Sequence, residues 1–544
     1  SSARKAGDYR AGSLLVSIAT WGTAWRYMER HGPDVLLSPT PRFNPYFYLQ
    51  LKRSYSWGED VYGLYRDVVK RALGIELIEE KGESSIDILI QRAPVVPGTA
   101  YLALPHCSEA EDAPRYFQET LDEVREMVIG ARSSDAVKLP LYGAPSGDVL
   151  KIAQIALRDA PRWYLPLRTR YVSIAEVEND ARKMAAKVEA QVKFPVDYRR
   201  FLFWAMLKAI RHKPAPPHPV QWFEKCGKPR FAKLYDGPWI HSTLDPDQPA
   251  VLKLSGVVAQ TLDYDQDTKT FLHSLGIADL ENLKKIFKPK EALGPVDVLK
   301  RALYYAVNED RIESVEAVAL KWHYHKNYFN ECPDLEKKIR DVVNGGDAEQ
   351  IFGPSDAPDK EIAKASTLCK PPPGIPPPTL MYAIIRADGD NIGKITSGCI
   401  PTPLSPPDAE IQETNPEEKD KAKSQWQQDK ERATKLAEAV RCLYVEEICG
   451  EKHLHLVIPS PAYYAALSAS LMITALKDVI TVMKHEGETV FAGGDDLLAF
   501  APLVVALDIV KESREKYKGD GGFHKLLNYT LPAVAAVSYT HLTL

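Results

Sequence analysis

Two adjacent aspartates follow two glycines at Gly493-Gly494-Asp495-Asp496, between the short apolar runs Val490–Ala492 and Leu497–Phe500. β-formers on both flanks with glycines at the bend predict a hairpin, because glycine takes positive φ without a Cβ penalty. The two carboxylates at its tip repel each other and cannot pair. A divalent cation offsets that repulsion, and hard oxygen donors at a strand turn suit magnesium. On the tetrapeptide alone, a solvated turn accounts for the pattern equally well.

A second stretch shifts the balance. The apolar β run Leu380–Arg386 follows the proline-rich Pro371–Pro378 and exits into Ala387-Asp388-Gly389-Asp390-Asn391-Ile392-Gly393-Lys394. An aspartate at the exit of a buried strand, followed by glycine, is where a sheet presents a carboxylate and nearby carbonyls to a ligand. Helix candidates Pro461–Lys484 and Val504–Tyr517 and a final strand candidate Leu531–Ser538 complete the set. The order is strand, helix, strand, strand, helix, strand, the ferredoxin-like split βαβ plan. That plan makes the first strand and the hairpin neighbours, so Asp388 and Asp495/Asp496 meet at one edge. Three carboxylates there fit a two-metal nucleotidyl-transfer site.

The chain has 544 residues, enough for two or three cores, with globular values of 45% apolar and 26% charged residues. A net charge of −4 gives no whole-chain case for nucleic acid, so RNA contact must come from local patches or from partners. Seven cysteines without a paired pattern fit a reducing cytosol, hence a cytoplasmic protein. No signal peptide and no apolar run long enough to span a bilayer are expected, so no membrane partner. A first residue Ser1 and an abrupt end after a strand candidate read as a fragment.

The opening segment, residues 1–31, carries apolar Leu14, Ile18, Trp21 and Trp25 at helical spacing, and Gly32-Pro33 stops it. Strand candidates Val35–Leu37 and Thr99–Leu104 and a helix at Ala113–Ile129 follow, the same order with its first strand missing. The fold class expected is α+β. Two ferredoxin-like palm units (1–135, lacking the acidic turn, and 376–544) are joined by a mainly helical middle (136–375), with a mixed-charge surface insertion at 401–432 leading into a helix near Ala433–Ile448. In the middle, Val177–Val188 and Arg200–His212 are amphipathic, and Arg199, Arg200, Lys208, Arg211 and Lys213 form a basic face for RNA, an acidic partner or plain solvent. Pro214–Pro219 reads as a joint, and Cys226-Gly227 begins a knuckle without a second cysteine at metal spacing. His323, His325 and Cys332 offer three zinc donors, although such a group is more often a helix surface, so zinc is doubtful and no zinc ligand is assigned. His453 and His455 alternate on one face of a strand candidate.

Four segments resemble one family. Ala3–Pro45, Glu291–Asn308 (EALGPVDVLKRALYYAVN), Arg386–Gly398 (RADGDNIGKITSG) and Phe491–Pro502 (FAGGDDLLAFAP) are similar to the large palm-domain subunit of type III CRISPR effector complexes, closest to the type III-B version. The last two segments are the specific ones. The resemblance implies an antiviral, RNA-guided complex in which the second palm binds two ATP and joins them into cyclic oligoadenylates when target RNA pairs with guide CRISPR RNA. It implies Mg2+ or Mn2+ as cofactor, ATP as substrate and the other complex subunits as partners. Asp388 and Asp495 fit as metal ligands, with Asp496 completing the site or assisting hydroxyl deprotonation. Gly389 lets a backbone carbonyl approach the metal. Gly493 and Gly494 let ATP approach the turn, and Asp390, Lys394 and Ser468 join them in the nucleotide site.

The departures matter as well. No His-Asp dipeptide occurs in the chain, so the resemblance carries over no HD nuclease. The family's zinc-binding cysteine pairs are not visible, Tyr464 stands where relatives often have histidine, and the domain expected after the second palm is missing. Two other readings compete: a different nucleotidyl cyclase of the diguanylate type, which usually carries glutamate in the turn, and a catalytically silent scaffold subunit.

Overall fold

The computed structural model describes residues 6–73, 95–132, 139, 147–158, 167–213, 240, 242–244, 250–258, 262–308, 314–344, 348–352, 360, 362, 369, 372–389, 392–396, 398–400, 431, 435, 455–456, 459–493 and 495–518. The first elements are α1 (Ala6–His31), β1 (Leu36–Ser38), α2 (Pro45–Ser54), α3 (Gly58–Leu73), β2 (Tyr101–Leu102), α4 (Ala113–Val128), α5 (Gly147–Leu157), α6 (Ile174–Val192) and α7 (Arg199–His212). Next come β3 (Leu252–Lys253), β4 (Gly256–Val258), β5 (Leu262–Tyr264), α8 (Gln266–Ser274), α9 (Leu280–Ile286), β6 (Ala292–Leu293), α10 (Pro295–Asn308), α11 (Val315–His325), α12 (Pro333–Val343) and α13 (Ala348–Phe352). The last are β7 (Tyr382–Ala387), α14 (Ile392–Thr396), β8 (Cys399–Ile400), β9 (His455–Leu456), α15 (Pro461–Lys484), β10 (Glu488–Gly493), β11 (Asp496–Pro502) and α16 (Ala506–Lys518).

The apolar spacing of the opening segment does its expected work. Leu14, Ile18, Trp21 and Trp25 are all buried along α1, and Gly32 ends it at a φ of 91°, where a side chain is disfavoured. α1 packs on α4, α10 and β10, so a single apolar core runs from Ala11 through Leu299 to Ile509. Separate clusters form between α6 and α7 and around Ile339 and Phe352 in the middle. A buried ion network ties the same elements: Arg301 on α10 donates to Asp8 of α1 at 2.9 and 3.1 Å, to Glu291 and to the Ile286 carbonyl. The first unit departs from the expected order of helix, strand, strand, helix, because α2 and α3 stand between β1 and β2, which still pair antiparallel at Leu36↔Leu102.

The middle is mainly helical, as the periodicity predicts, and also holds two small antiparallel pairs, β3–β6 and β4–β5, too short to stand out in the sequence. α6 and α7 form a hairpin with their own apolar cluster, including Val177, Ala181, Val188, Phe201 and Trp204. α6 opens on a capping box in which the Ser173 hydroxyl accepts from Glu176 N–H and the Glu176 carboxylate accepts from Ser173 N–H.

In the last unit β11 lies between β7 and β10 and is antiparallel to both, so β7 and β10 run parallel, as the split βαβ plan requires. Alternation along the strands sends Ile385, Leu497, Ala499 and Ala501 into the core with Met472, Leu476 and Val479 of α15 and Ile509 of α16. Leu498 and Phe500 instead meet Val315 and Val318 of α11, with Val490 joining them at a bulge in β10. α15 and α16 cover one face and α11 covers β10 and β11 on the other, whereas β7, expected as a buried strand, buries only Ile385 and leaves Ile384 exposed at the sheet's edge. α15 keeps its expected bounds, whereas α16 starts at Ala506 because Leu503–Val505 forms a 3-10 turn.

Two expectations are corrected. α15 is long and apolar enough to cross a membrane by length and composition, yet 72% of its apolar window is buried inside the protein, as in a core helix. Among the described residues two cysteines do pair: Cys332 and Cys369 form a disulfide across a separation of 37 residues, which no local spacing announces. The strand candidate Leu531–Ser538, the joint Pro214–Pro219, Cys226-Gly227, His453 and, apart from Glu431 and Lys435, the insertion and helix at 401–448 lie outside the described residues.

Candidate functional site

The hairpin closes with Gly493 opposite Asp496. On the other side β11 pairs with β7 as far as Leu497↔Ala387. One step further along that register stands Asp388, level with Asp496. The three aspartates thus share one end of the sheet. Burial pushes the Asp495 carboxyl up, and the charges of Asp496 and Asp388 push it further. Burial likewise raises Asp496, with Asp388 adding to the rise and the Arg386 guanidinium opposing it. Among the described residues no group of three His, Cys, Asp or Glu side chains stands ready-set at metal-ligand spacing.

The glycines have neighbours that their motif does not reveal. A Cβ built on Gly389 would lie 2.7 Å from Asp495 Cβ, 2.8 Å from Ile392 Cγ1 and 3.2 Å from the Tyr517 hydroxyl. A Cβ on Gly493 would lie 2.7 Å from the Val95 carbonyl oxygen and 3.0 Å from the Phe491 ring. Both are closer than real Cβ contacts, so each glycine is a place of tight packing. For Gly493 that side is occupied by backbone of the first unit, a job additional to the expected approach of ATP. Val95 and Val96 are themselves fully buried, with the Val96 carbonyl accepting from the Ser17 hydroxyl at 2.6 Å.

Around the exit of β7, α14 packs Ile392 and Ile395 against Tyr463, Tyr464 and Leu467 of α15, Leu207 and Phe203 of α7, Tyr101 of β2 and Tyr517 of α16. Tyr464 is buried and pushed up to about 12 by burial and by Tyr101, while hydrogen bonds with Arg211 and Thr396 oppose the rise. The Ser468 hydroxyl is buried and accepts from Thr40 N–H at 2.8 Å, joining α15 to the loop after β1. Lys394 lies on α14, and Asp390 and Gly494 fall outside the described residues.

The basic face of α7 is partly spent inside the chain. Lys213 pairs with Glu176 at 2.9 Å and donates to the Tyr171 carbonyl at 2.7 Å, and Arg211 serves Tyr464, while Arg199, Arg200 and Lys208 are exposed. The candidate zinc trio does not assemble. His323 is fully buried with Nε2 3.2 Å from the Pro376 carbonyl, His325 meets Glu486 at 3.0 Å, and Cys332 is held by Cys369. Sequence reasoning missed Val95, Tyr517 and the role of Arg386. Only Arg386 carried a local signal, as a cation two residues before Asp388.

A split βαβ sheet that brings acidic residues of its hairpin tip level with one at the neighbouring strand's exit defines a palm-type domain. The family described as "Cas10/Cmr2, second palm domain" matches residues 381–540, and "CRISPR-associated protein Cmr2, N-terminal" matches residues 1–130. The chain belongs to the Cas10/Cmr2 family. It is similar to the CRISPR system CMR subunit Cmr2 of Saccharolobus solfataricus, with 23% identity over 679 aligned residues that cover 99% of this chain and 62% of that protein. The Cmr2 subunit of Pyrococcus furiosus is 26% identical over 277 residues, 44% of this chain and 27% of that one. Two solved type III-B Cmr-beta complexes, one apo and one bound to cognate target RNA, each contain a chain that matches in fold. The TM-score is 0.53 and the identity 17%, over 95% of this chain and 60% of the other. This chain therefore spans less than two thirds of those relatives.

Proposed function

We propose that this chain is the palm-bearing subunit of a type III-B CRISPR effector complex and that its second palm joins ATP into cyclic oligoadenylates when target RNA pairs with the guide. The observation that carries the reading is the alignment of Asp388 with Asp496, beside Asp495, at one end of the sheet. Three carboxylates whose charges disfavour one another form a donor set suited to hard divalent cations. Asp388, Asp495 and Asp496 would hold Mg2+ or Mn2+, with the Gly389 carbonyl beside them. When bound, such cations would lower the pKa of a 3′-hydroxyl and offset the charge on the departing pyrophosphate. The chain's own part is to hold the carboxylates together at the sheet's end, with the Arg386 guanidinium favouring the charged form of Asp496. The two-palm architecture belongs to the same proposal: residues 1–135 would be a degenerate palm whose strand connection packs on the active one. Guide RNA, target RNA and the remaining subunits would be the partners, with Arg199, Arg200 and Lys208 as the exposed cations of α7.

A second reading, a catalytically silent palm within the complex, is favoured by the absence of a preformed ligand group among the described residues. One experiment separates the two. Complexes assembled with full-length protein, guide and matched target are given labelled ATP and Mg2+ or Mn2+, and the products are resolved by mass analysis. The proposal expects adenylate rings from the parent and at least about 100-fold less from the Asp495→Ala/Asp496→Ala pair, since a lost metal is worth several kcal/mol. Equal product from both, or none from either, overturns it.

A further inference from the structure

We infer that Tyr517 is a positioning residue for the acidic centre: its hydroxyl, with the bare Cα of Gly389, walls Asp495 in from the helical side and sets where its carboxylate points. The inference rests on the palm reading above and adds a residue outside both acidic motifs. Gly389 has no room for a side chain because Asp495 Cβ and the Tyr517 hydroxyl occupy the space, at 2.7 and 3.2 Å from where a Cβ would be. Tyr517 is fixed in turn, since its ring packs in the cluster formed by Ile392, Ile395, Tyr463 and Tyr464. The opposite flank of the hairpin is wedged by the Val95 carbonyl against Gly493. The bend therefore sits between two fixed walls, one from the first unit and one from α16. The register then leaves Asp496 level with Asp388, while Asp495 lies over Gly389.

A wall of this kind acts by pre-organisation. Without it the Asp495 side chain gains rotamers in which it no longer stands with its two partners, and site geometry must be held to within about 0.5 Å to remain productive. The hydroxyl is a donor as well as a spacer, so phenylalanine and alanine remove different things.

The test uses full-length protein in the assembled complex with guide and matched target. Tyr517→Phe and Tyr517→Ala are compared with the parent in three measurements: Mn2+ binding without ATP by electron paramagnetic resonance, hydrogen exchange across Phe491–Ala499 without metal, and steady-state kinetics with ATP. The alanine variant is expected to bind Mn2+ about 10-fold more weakly, to exchange faster at the bend, and to lose kcat about 10- to 100-fold with KM for ATP moving less than about 3-fold. Tyr517→Phe should fall between it and the parent. Should the alanine variant fail to assemble, Tyr517→Phe alone decides, and parental Mn2+ affinity, exchange and kcat in it refute the inference. Parental values in both variants, with the Asp495→Ala/Asp496→Ala pair still inactive, refute the role of Tyr517 and leave the palm reading intact. Full activity of the aspartate pair removes the palm reading itself.

Discussion

Replacing Arg301 with methionine tests the network that fastens the first unit to the middle. Arg301 is 1% exposed and faces Asp8 and Glu291, which are 7% and 5% exposed. Burial alone would pull its guanidinium down, but the two carboxylates hold it well above its usual value. Methionine fills much of the same volume, so the change removes charge rather than packing. It takes their shared cation from two carboxylates in a dry site, and removing one partner of a buried pair costs about 3–5 kcal/mol. The two acids then have raised folded pKa values. Their penalty is absent below the unfolded carboxylate range and grows as pH rises through the raised values, so the deficit at pH 8 exceeds that at pH 5. Chemical denaturation at both pH values, with hydrogen exchange read at the amides of α1 and α10, measures this directly. The triple change Arg301→Met/Asp8→Asn/Glu291→Gln should recover more than half of the loss at pH 8, because no buried charge is left unpaired. A single variant as stable as the parent at pH 8, or equally destabilised at both pH values, would refute the reasoning.

Gly389→Ala should reduce Mn2+ binding and adenylate yield by at least about 10-fold, because its Cβ must displace Asp495 or Tyr517, and a yield equal to the parent's would show that the neighbours give way freely. Gly493→Ala meets the Val95 carbonyl and should cost about 1–3 kcal/mol in denaturant titrations, with faster exchange at both Val95–Val96 and the hairpin. Asp478 is pushed up to about 6 by burial, against the pull of Ser513, Lys516 and Lys477, so its stability contribution is full below about pH 4 and lost as pH rises through about 6. Asp478→Asn should therefore raise stability at pH 7.5 by about 1–3 kcal/mol and flatten the profile between pH 4 and 7, both read from melting curves. Reduction of Cys332–Cys369 opens a loop of 37 residues, worth about 4 kcal/mol in the chain-entropy account, and should lower the melting temperature of the cluster around Ile339 and Phe352. Alkylation of the unreduced, unfolded chain should leave both cysteines unlabelled.

The palm was legible because its signals are local. Alternating apolar residues, glycines at a bend and an aspartate at a strand exit are read within windows shorter than 15 residues, and α15 matched its periodicity to the residue. That Asp388 and the hairpin aspartates share one end of the sheet followed from topology, since the split βαβ order sets the hairpin's return strand beside the first strand. Contacts set by distant sequence were not legible. Nothing near Gly493 announces Val95, nothing near Gly389 announces Tyr517, and Cys332 gives no hint of Cys369. The buried Arg301 could not be told from a surface cation on an amphipathic helix, because its partners are 10 and 293 residues away. Ser468 shows the same limit: a hydroxyl placed on the nucleotide side by resemblance holds the Thr40 amide 428 residues earlier.

The Val95 carbonyl seated on Gly493 has a consequence for heredity. A backbone oxygen is present whatever residue occupies position 95, so the first unit can drift widely in side chains while its fit to the hairpin persists. Position 493 has no such latitude, because any side chain there must move the other unit. The two halves are thus asymmetric partners, and recombination that exchanged residues 376–544 for a cousin's would succeed only where the incoming turn kept glycine at that position. Transplanting residues 1–135 is the more forgiving exchange, provided the path of the chain through Val95 and Val96 is preserved.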